Sequence, residues 1–397
     1  MQIGIDASCW LNRRGFGRFT RELVRALLEV EQTNEYVLFL DTASARDAQE
    51  LPQSPRATVV TIDTRVAATR AAAADGSRSA SDLWRMRQAV KAWNGRLDVL
   101  YFPADYTYFP VSTTARVIVT KHDMTDRQVP ELLFPTWESR CLWEIKIRLA
   151  MRRADMVFTV SDTSRRDIRR AFGLGADQIR VISDAVDPSF APAADDARRA
   201  AVLAQFGVAA DERFLLYVGG ISPHKNLATL VRAFQQWSDR HPGDRNVSLV
   251  LVGDFVSDVF HSSYQSVKSL IASAGLEQRV RFAGFVPDAE LCDLYSAAEA
   301  LVLPSFYEGF GLPALEAMAC GTPVLASNAG SLPEVVGTAG LLFDPHSVDE
   351  LAAAIERIVA DSSLRADLSA RGLIRASEFS WHESARAALA AFQDVMR

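Results

Sequence analysis

Residues 305–322 read SFYEGFGLPALEAMACGT, a strand's exit into a helix through a glycine-rich corner. Residues 300–303 are small and apolar, as in a buried parallel strand, and residues 312–319 carry apolar side chains at helical spacing. Pro313 suits the first helical position, where its φ is already helical and its missing N–H is one the helix does not use. The N–H groups of Phe310, Gly311, Leu312 and Ala314 are then expected to stay unpaired. Together with the positive end of the helix dipole they would form a seat for phosphate. Gly309 and Gly311 keep that approach clear of side chains and permit positive φ. Glu308 on the loop and Glu316 one turn into the helix lean back toward the same place. A carboxylate repels phosphate, so the expected partners of these glutamates are hydroxyl groups. An ordinary strand-to-helix turn with solvated glutamates is the alternative.

Taken whole, the string resembles the E-x7-E signature of the retaining glycosyltransferases of family 4. That resemblance implies the GT-B fold, an α/β architecture of two Rossmann-like, doubly wound domains facing across a cleft. A C-terminal helix would cross back to the N-terminal domain. It also implies transfer of a sugar from a nucleotide diphosphate to an acceptor, with Glu308 on the donor sugar and Glu316 on the nucleotide ribose.

Size and composition agree with such an enzyme and exclude other classes. The 397 residues are enough for two or three domains, and 49% hydrophobic with 23% charged residues is ordinary for a globular enzyme. A net charge of −6 lacks the basic balance of a nucleic-acid binder. The four cysteines, Cys9, Cys141, Cys292 and Cys320, are scattered and form no metal-ligand spacing. The opening residues lack a signal peptide's basic and apolar regions, and no run is long enough to span a bilayer. A cytoplasmic protein, at most peripheral to a membrane, is expected.

Before the anchor stretch, strand-like segments at 3–6, 36–40, 57–62, 99–102, 116–120, 154–160 and 180–183 alternate with helical ones. The first is followed by RRGFGRF, a loop holding Gly15 and Gly17, with a helix expected from about 18 to 29. This spacing is not the dinucleotide fingerprint. A plain turn is one reading; the family resemblance adds an approach of backbone amides to the donor phosphates. Residues 64–81, rich in alanine, arginine and serine, read as a mobile loop or weak helix at the surface. After 116–120 comes KHDMTD, with His122 at the carboxyl end of a strand, where parallel sheets bind ligands. The resemblance implies that His122 reaches the donor sugar; Lys121 departs from the apolar residue expected there. Residues 137–153, WESRCLWEIKIRLAMRR, form a basic, amphipathic helix with a core-facing stripe and a charged solvated face, and are also a candidate for contact with anionic lipid. Ser161 reads as the N-cap of the next helix.

Residues 185–192 look like a crossing into a second domain, which gives an N-terminal acceptor domain at 1–188 and a donor domain at 189–380. Helix 381–397 would return to the first domain, with Trp381 across the hinge. After a strand at 214–218 comes GGISPHKNLATL, in which Lys225 is read as opening a helix behind a Gly219–Gly220 turn. An ammonium there neutralises a diphosphate, and the position matches the family's donor-phosphate lysine. The arginine that many members carry before it is absent, with His224 or Arg14 as substitutes. Strands at 247–252 and 279–282 precede Gly284, Phe285 and Val286; the resemblance sets this turn against the nucleotide base, and core packing of Phe285 is the alternative. Strands at 323–326 and 340–343 follow the anchor, and NAGSLPE at 328–334 is another family-like segment.

The Pro-His-Lys-Asn string at 223–226 and the His122–Asp123 pair resemble bacterial mannosyl- and glucosyltransferases, and that resemblance implies a hexosyltransferase for mannose or glucose, with GDP-mannose favoured over UDP-glucose. Donor binding would fall to Gly15, Gly17, Gly220, Lys225, Phe285, Val286, Glu308, Phe310, Gly311, Leu312 and Glu316. His122, Lys225 and Glu308 would position and stabilise the reacting groups. No metal or cofactor is expected, since backbone amides and a lysine can offset the leaving group's charge. A nucleotide-sugar 2-epimerase and a non-catalytic partner subunit are the competing readings.

Overall fold

The structure is a computed structural model that describes residues 1–12, 15–47, 51–65, 79–134, 136–254 and 262–397. Arg14 and most of the 64–81 loop lie outside the described residues. The chain divides into two compact units. The first comprises Met1–Met124, Phe134–Asp184 and Ser380–Arg397; the second comprises Thr125–Leu133 and Ala185–Phe379.

In the first unit the strands are β1 (Gln2–Asp6), β2 (Glu35–Asp41), β3 (Ala57–Ile62), β4 (Val99–Phe102), β5 (Arg116–Thr120), β6 (Met156–Thr159) and β7 (Ile179–Val181). They form one parallel sheet in the order β3-β2-β1-β4-β5-β6-β7. The second unit holds β8 (Arg213–Val218), β9 (Val247–Val252), β10 (Val280–Gly284), β11 (Ala300–Leu303), β12 (Val324–Ser327) and β13 (Gly340–Phe343). Their order, β10-β9-β8-β11-β12-β13, repeats the same winding. Both units are thus doubly wound α/β structures, as the sequence leads one to expect. The central strands are mostly apolar because helices cover both faces of each sheet: β4, β6, β9, β11 and β12 are buried at every residue.

Helix Trp381–Asp394 packs on the first unit. Trp381 lies edge-on to Phe19 at 5.9 Å, and Phe392 meets Tyr101 and Phe158, both at 5.8 Å. Trp381 therefore packs on the first unit, just past the point where the chain returns to it. Ser384 Oγ also donates to the Ser183 carbonyl over 2.7 Å.

Two local expectations are corrected. The first helix runs Gly15–Val30, so Gly15 and Gly17 form its first turn and not a loop before it. Glycine is required at 17 because a Cβ there would run into the Asn12 carbonyl, whereas a Cβ at Gly15 meets nothing within 4 Å. Helix Trp137–Arg153 buries Ile147, Ala150 and Met151 but leaves Leu142, Ile145 and Leu149 exposed, so its outer face is not simply charged.

Candidate active site

Where a doubly wound sheet reverses its strand order, the two loops at the carboxyl edge diverge and leave room for a ligand. In the second unit that point lies between the neighbours β8 and β11. The segment after β8 carries Lys225, and the segment after β11 carries Glu308. Strand order alone thus brings together two residues 83 positions apart, and Lys225 Nζ donates to Glu308 Oε1 over 2.7 Å.

The two loops are rigidly built. Lys225 closes a 3-10 turn, Pro223–Lys225, and the helix begins only at Leu227. It does not open the helix, as its spacing had implied; its charge is balanced by Glu308 and not set against the helix dipole. Between turn and helix, Asn226 adopts the left-handed conformation at φ 58° and is buried. Its Nδ2 donates to the carbonyls of Pro304 at 3.0 Å and Pro345 at 2.7 Å, while Thr229 Oγ1 donates to its Oδ1. The Phe306 N–H also bonds the His224 carbonyl at 2.9 Å. The lysine turn and the glutamate loop are therefore one hydrogen-bonded piece.

Glu308 is 17% exposed in its side chain and takes a second hydrogen bond, from Ser305 Oγ at 2.7 Å. Burial alone would raise its pKa, but the Lys225 ammonium and the Ser305 hydroxyl outweigh that and hold the carboxyl below its ordinary range. Its backbone is gripped from behind: the N–H and Oγ of Ser331 both donate to the Glu308 carbonyl at 3.0 Å. Gly330, at φ 59°, passes so close that a Cβ would stand 2.5 Å from that carbonyl oxygen. This is the structural use of the NAGSLPE string.

Gly311, at φ 95°, is the N-cap of helix Leu312–Ala319, and a Cβ on it would meet Leu332 at 2.5 Å. Leu312 is the first helical residue, and Pro313 the second. The Ala314 N–H is not left over, as expected, but bonds the Gly311 carbonyl at 2.9 Å. Phe310 is buried, edge-on to Phe379 at 5.6 Å. Glu316 is buried and accepts from Tyr295 OH at 2.9 Å.

The other predicted donor contacts share this carboxyl edge. The Gly220 carbonyl accepts from Tyr217 OH at 2.6 Å. Phe285, just past β10, is 48% exposed, which removes the core-packing alternative; Val286 beside it is buried. No group of three or more His, Cys, Asp or Glu side chains suited to a metal ion occurs among the described residues.

In the first unit the order reverses between β1 and β4. Gly15 and Gly17 follow β1, and His122 follows β5, next to β4. The His122 ring is buried, with Phe16 and Phe19 each edge-on at 4.8 Å. Its Nε2 lies 2.8 Å from the Pro103 carbonyl, which can only accept, so Nε2 carries the proton. Burial pushes the pKa down to about 4. At neutral pH the ring is uncharged, and Nδ1 is its lone-pair nitrogen. Lys121 points inward to a buried ion pair with Asp105 at 3.1 Å, which answers the question its position raised. Ser161 Oγ caps the helix Asp162–Phe172 by accepting from Ser164 N–H at 3.1 Å.

Two family models match consecutive parts of the chain, "Glycosyltransferase Family 4" over residues 13–190 and "Glycosyl transferases group 1" over residues 199–374. The O-antigen chain mannosyltransferase B of Escherichia coli is 34% identical over 378 residues, 92% of each chain. The chain belongs to the GT-B glycosyltransferases. Other relatives of this glycosyltransferase include the D-inositol 3-phosphate glycosyltransferase of Kineococcus radiotolerans, 37% identical over 62% of this chain and 58% of that one. Sucrose-phosphate synthase from Thermosynechococcus elongatus superposes with a TM-score of 0.76 at 25% identity, over 99% and 98% of the two chains. The fold of Anabaena HepE, solved with UDP and glucose, superposes at 0.73 with 20% identity and 99% coverage of both. Asn226, Ser331 and Tyr295 of this glycosyltransferase were not singled out from sequence. Only the Pro-His-Lys-Asn string pointed toward Asn226; Tyr295 carries no local signature.

Proposed function

We propose that this glycosyltransferase moves a mannosyl residue from GDP-mannose to a glycan, lipid-linked or small-molecule acceptor with retention of anomeric configuration. The observation that carries the reading is the Lys225–Glu308 pair at the β8/β11 switch point, beside the helix that starts after Gly311. A diphosphate takes the ammonium from Glu308 and meets the helix start; the freed carboxylate then accepts from donor-sugar hydroxyls. Transition-state charge on the departing diphosphate is offset by Lys225 and backbone N–H groups, so the reaction needs no metal. Glu316 holds the ribose, Gly220 gives close backbone approach, and the exposed Phe285 ring stacks on the base. His122, neutral with Nδ1 as acceptor, orients a sugar hydroxyl. The choice of mannose rests on the E. coli mannosyltransferase that aligns along nearly the whole chain. UDP-glucose is the second reading, since the Pro-His-Lys-Asn and His-Asp strings resemble mannosyl- and glucosyltransferases alike.

Calorimetric titration with GDP, UDP and dTDP in the presence of EDTA tests the donor site. GDP is expected to bind selectively, and Lys225→Ala to weaken it by about tenfold to a hundredfold. Binding unchanged by that variant would displace the diphosphate from this site. Transfer from GDP-mannose, followed by proton NMR of the new anomeric centre, separates retention from inversion. Accumulation of epimerised donor without transfer would establish the epimerase instead.

A further inference from the structure

Two of the four cysteines, far apart in sequence, meet behind Glu316 in the second unit. Helix Asp288–Ala297 carries Cys292 and Tyr295; helix Leu312–Ala319 carries Glu316 and ends at Cys320, its C-cap. Residues 292 and 295, like 316 and 320, are one helical turn apart, so each pair lies on one face. The two faces touch at both levels. Tyr295 OH donates to Glu316 Oε2 over 2.9 Å, and the Cys320 thiol is hydrogen-bonded to the Cys292 sulfur. The Cys320 N–H also bonds the Glu316 carbonyl at 3.0 Å. The two thiols differ in character. Cys292 is half-buried, and its hydrogen bonds with the Cys320 thiol and the Ala191 backbone outweigh burial and hold its pKa below the ordinary thiol range. Cys320 is buried, and its bond to Cys292 together with the loss of solvent pushes its thiol up. One sulfur is thus reachable and nucleophilic, and the other stands protonated beside it.

We infer that Cys292 and Cys320 form a thiol–disulfide exchange site whose substrate class is a low-molecular-weight disulfide. The Cys292 thiolate attacks one sulfur of that disulfide and expels the other as a thiolate, leaving a mixed disulfide on Cys292. This capping removes the hydrogen bond and the neighbouring charge that keep Cys320 protonated. Cys320 then passes its proton to the expelled thiolate, and its sulfur attacks Cys292 Sγ. The second small thiolate leaves and takes up the proton that Cys292 had shed to solvent. Two protein thiols are oxidised to one disulfide while the small disulfide is reduced to two thiols, with no other reactant. A covalent bond is shorter than the hydrogen bond it replaces. Closure therefore draws the end of helix Leu312–Ala319 toward helix Asp288–Ala297 and presses Glu316, one turn back, against Tyr295. The effect on binding rests on the proposed hold of Glu316 on the nucleotide ribose: the oxidised form binds nucleotide more weakly. Cys9 does not compete, because it is buried 3.0 Å from Thr20 Oγ1 and burial pushes its pKa up to about 12.

The test uses the full chain with Cys141→Ser, which removes the exposed thiol outside the pair. After incubation with oxidised glutathione, mass spectrometry is expected to show a chain lighter by two hydrogens, a peptide pair joining Cys292 to Cys320 and no retained glutathione. Dithiothreitol should restore both thiols. GDP affinity, read by calorimetry, should fall about fivefold on closure and recover on reduction. Cys292→Ser in the same background, a change at a half-buried position, should bind GDP equally with and without the oxidant. A stable glutathione adduct on Cys292, or both thiols left free, would overturn the exchange site. Closure with unchanged affinity would overturn its link to Glu316, as would a Cys292→Ser chain that the oxidant still weakens. Absence of nucleotide binding by the reduced parent would count against the donor site alone, and the joined peptide decides the thiol pair in either case.

Discussion

His122 shows what one buried side chain does to the acid response. Its pKa is about 4 in the folded chain against an ordinary 6.5, because burial disfavours the imidazolium. Between those values the unfolded chain binds a proton that the folded chain refuses. Stability is therefore full above about pH 6.5 and falls as pH drops toward 4, by about 3 kcal/mol over the whole window. Urea unfolding at pH 7 and pH 5 should show the parent losing about 2 kcal/mol more than His122→Gln, whose side chain has no proton to gain. Equal losses would mean the ring is hydrated and titrates normally. The position of His122 after β5 was legible in sequence, because an apolar strand ending in a polar residue is a plain signal. The inward turn of Lys121 was not. Its partner Asp105 lies 16 residues earlier, in the turn after β4, and only the sheet brings the two together.

Elements were read best where burial on both faces writes a nearly all-apolar run, as in β9 and β11, whose expected limits agree with the structure residue for residue. They were read worst where tertiary contact overrides propensity. Gly15 and Gly17 look like a loop because glycine disfavours helix, yet the close pass of the Asn12 carbonyl demands a glycine inside the first turn. Lys225 was assigned to a helix because periodicity does not reveal a left-handed residue such as Asn226 just after it. Asn226 joins the lysine turn to the glutamate loop. Replacing it by alanine removes three hydrogen bonds and strains the backbone, for a loss of about 2–4 kcal/mol, and releases Lys225, so nucleotide affinity falls as well. Asn226→Gly relaxes the backbone and should recover about 1 kcal/mol of stability, but not the affinity. Thermal melts and GDP titrations of the pair separate the two effects; a glycine variant with parental affinity would show that the side-chain clamp does not position the lysine.

Each unit has its own sheet and core, so the whole molecule should unfold in two calorimetric steps. Phe392→Ala leaves Tyr101 and Phe158 without their partner ring and should destabilise the first unit by about 3–5 kcal/mol. If GDP binds the second unit as proposed, it should raise the other step alone. A scan in which both steps move together under either change would mean the two cores melt as one. The same division carries a consequence for how the protein is made. Helix Trp381–Asp394 completes a sheet whose β7 ends at Val181. At ~5–20 residues per second, the roughly 200 residues between them take on the order of 10–40 seconds to translate. During that time Phe19, Tyr101 and Phe158 wait without their cover while the second unit is being made. The unit begun first is thus the last to be completed, and the nascent first unit is the stage at which chaperones would find this chain.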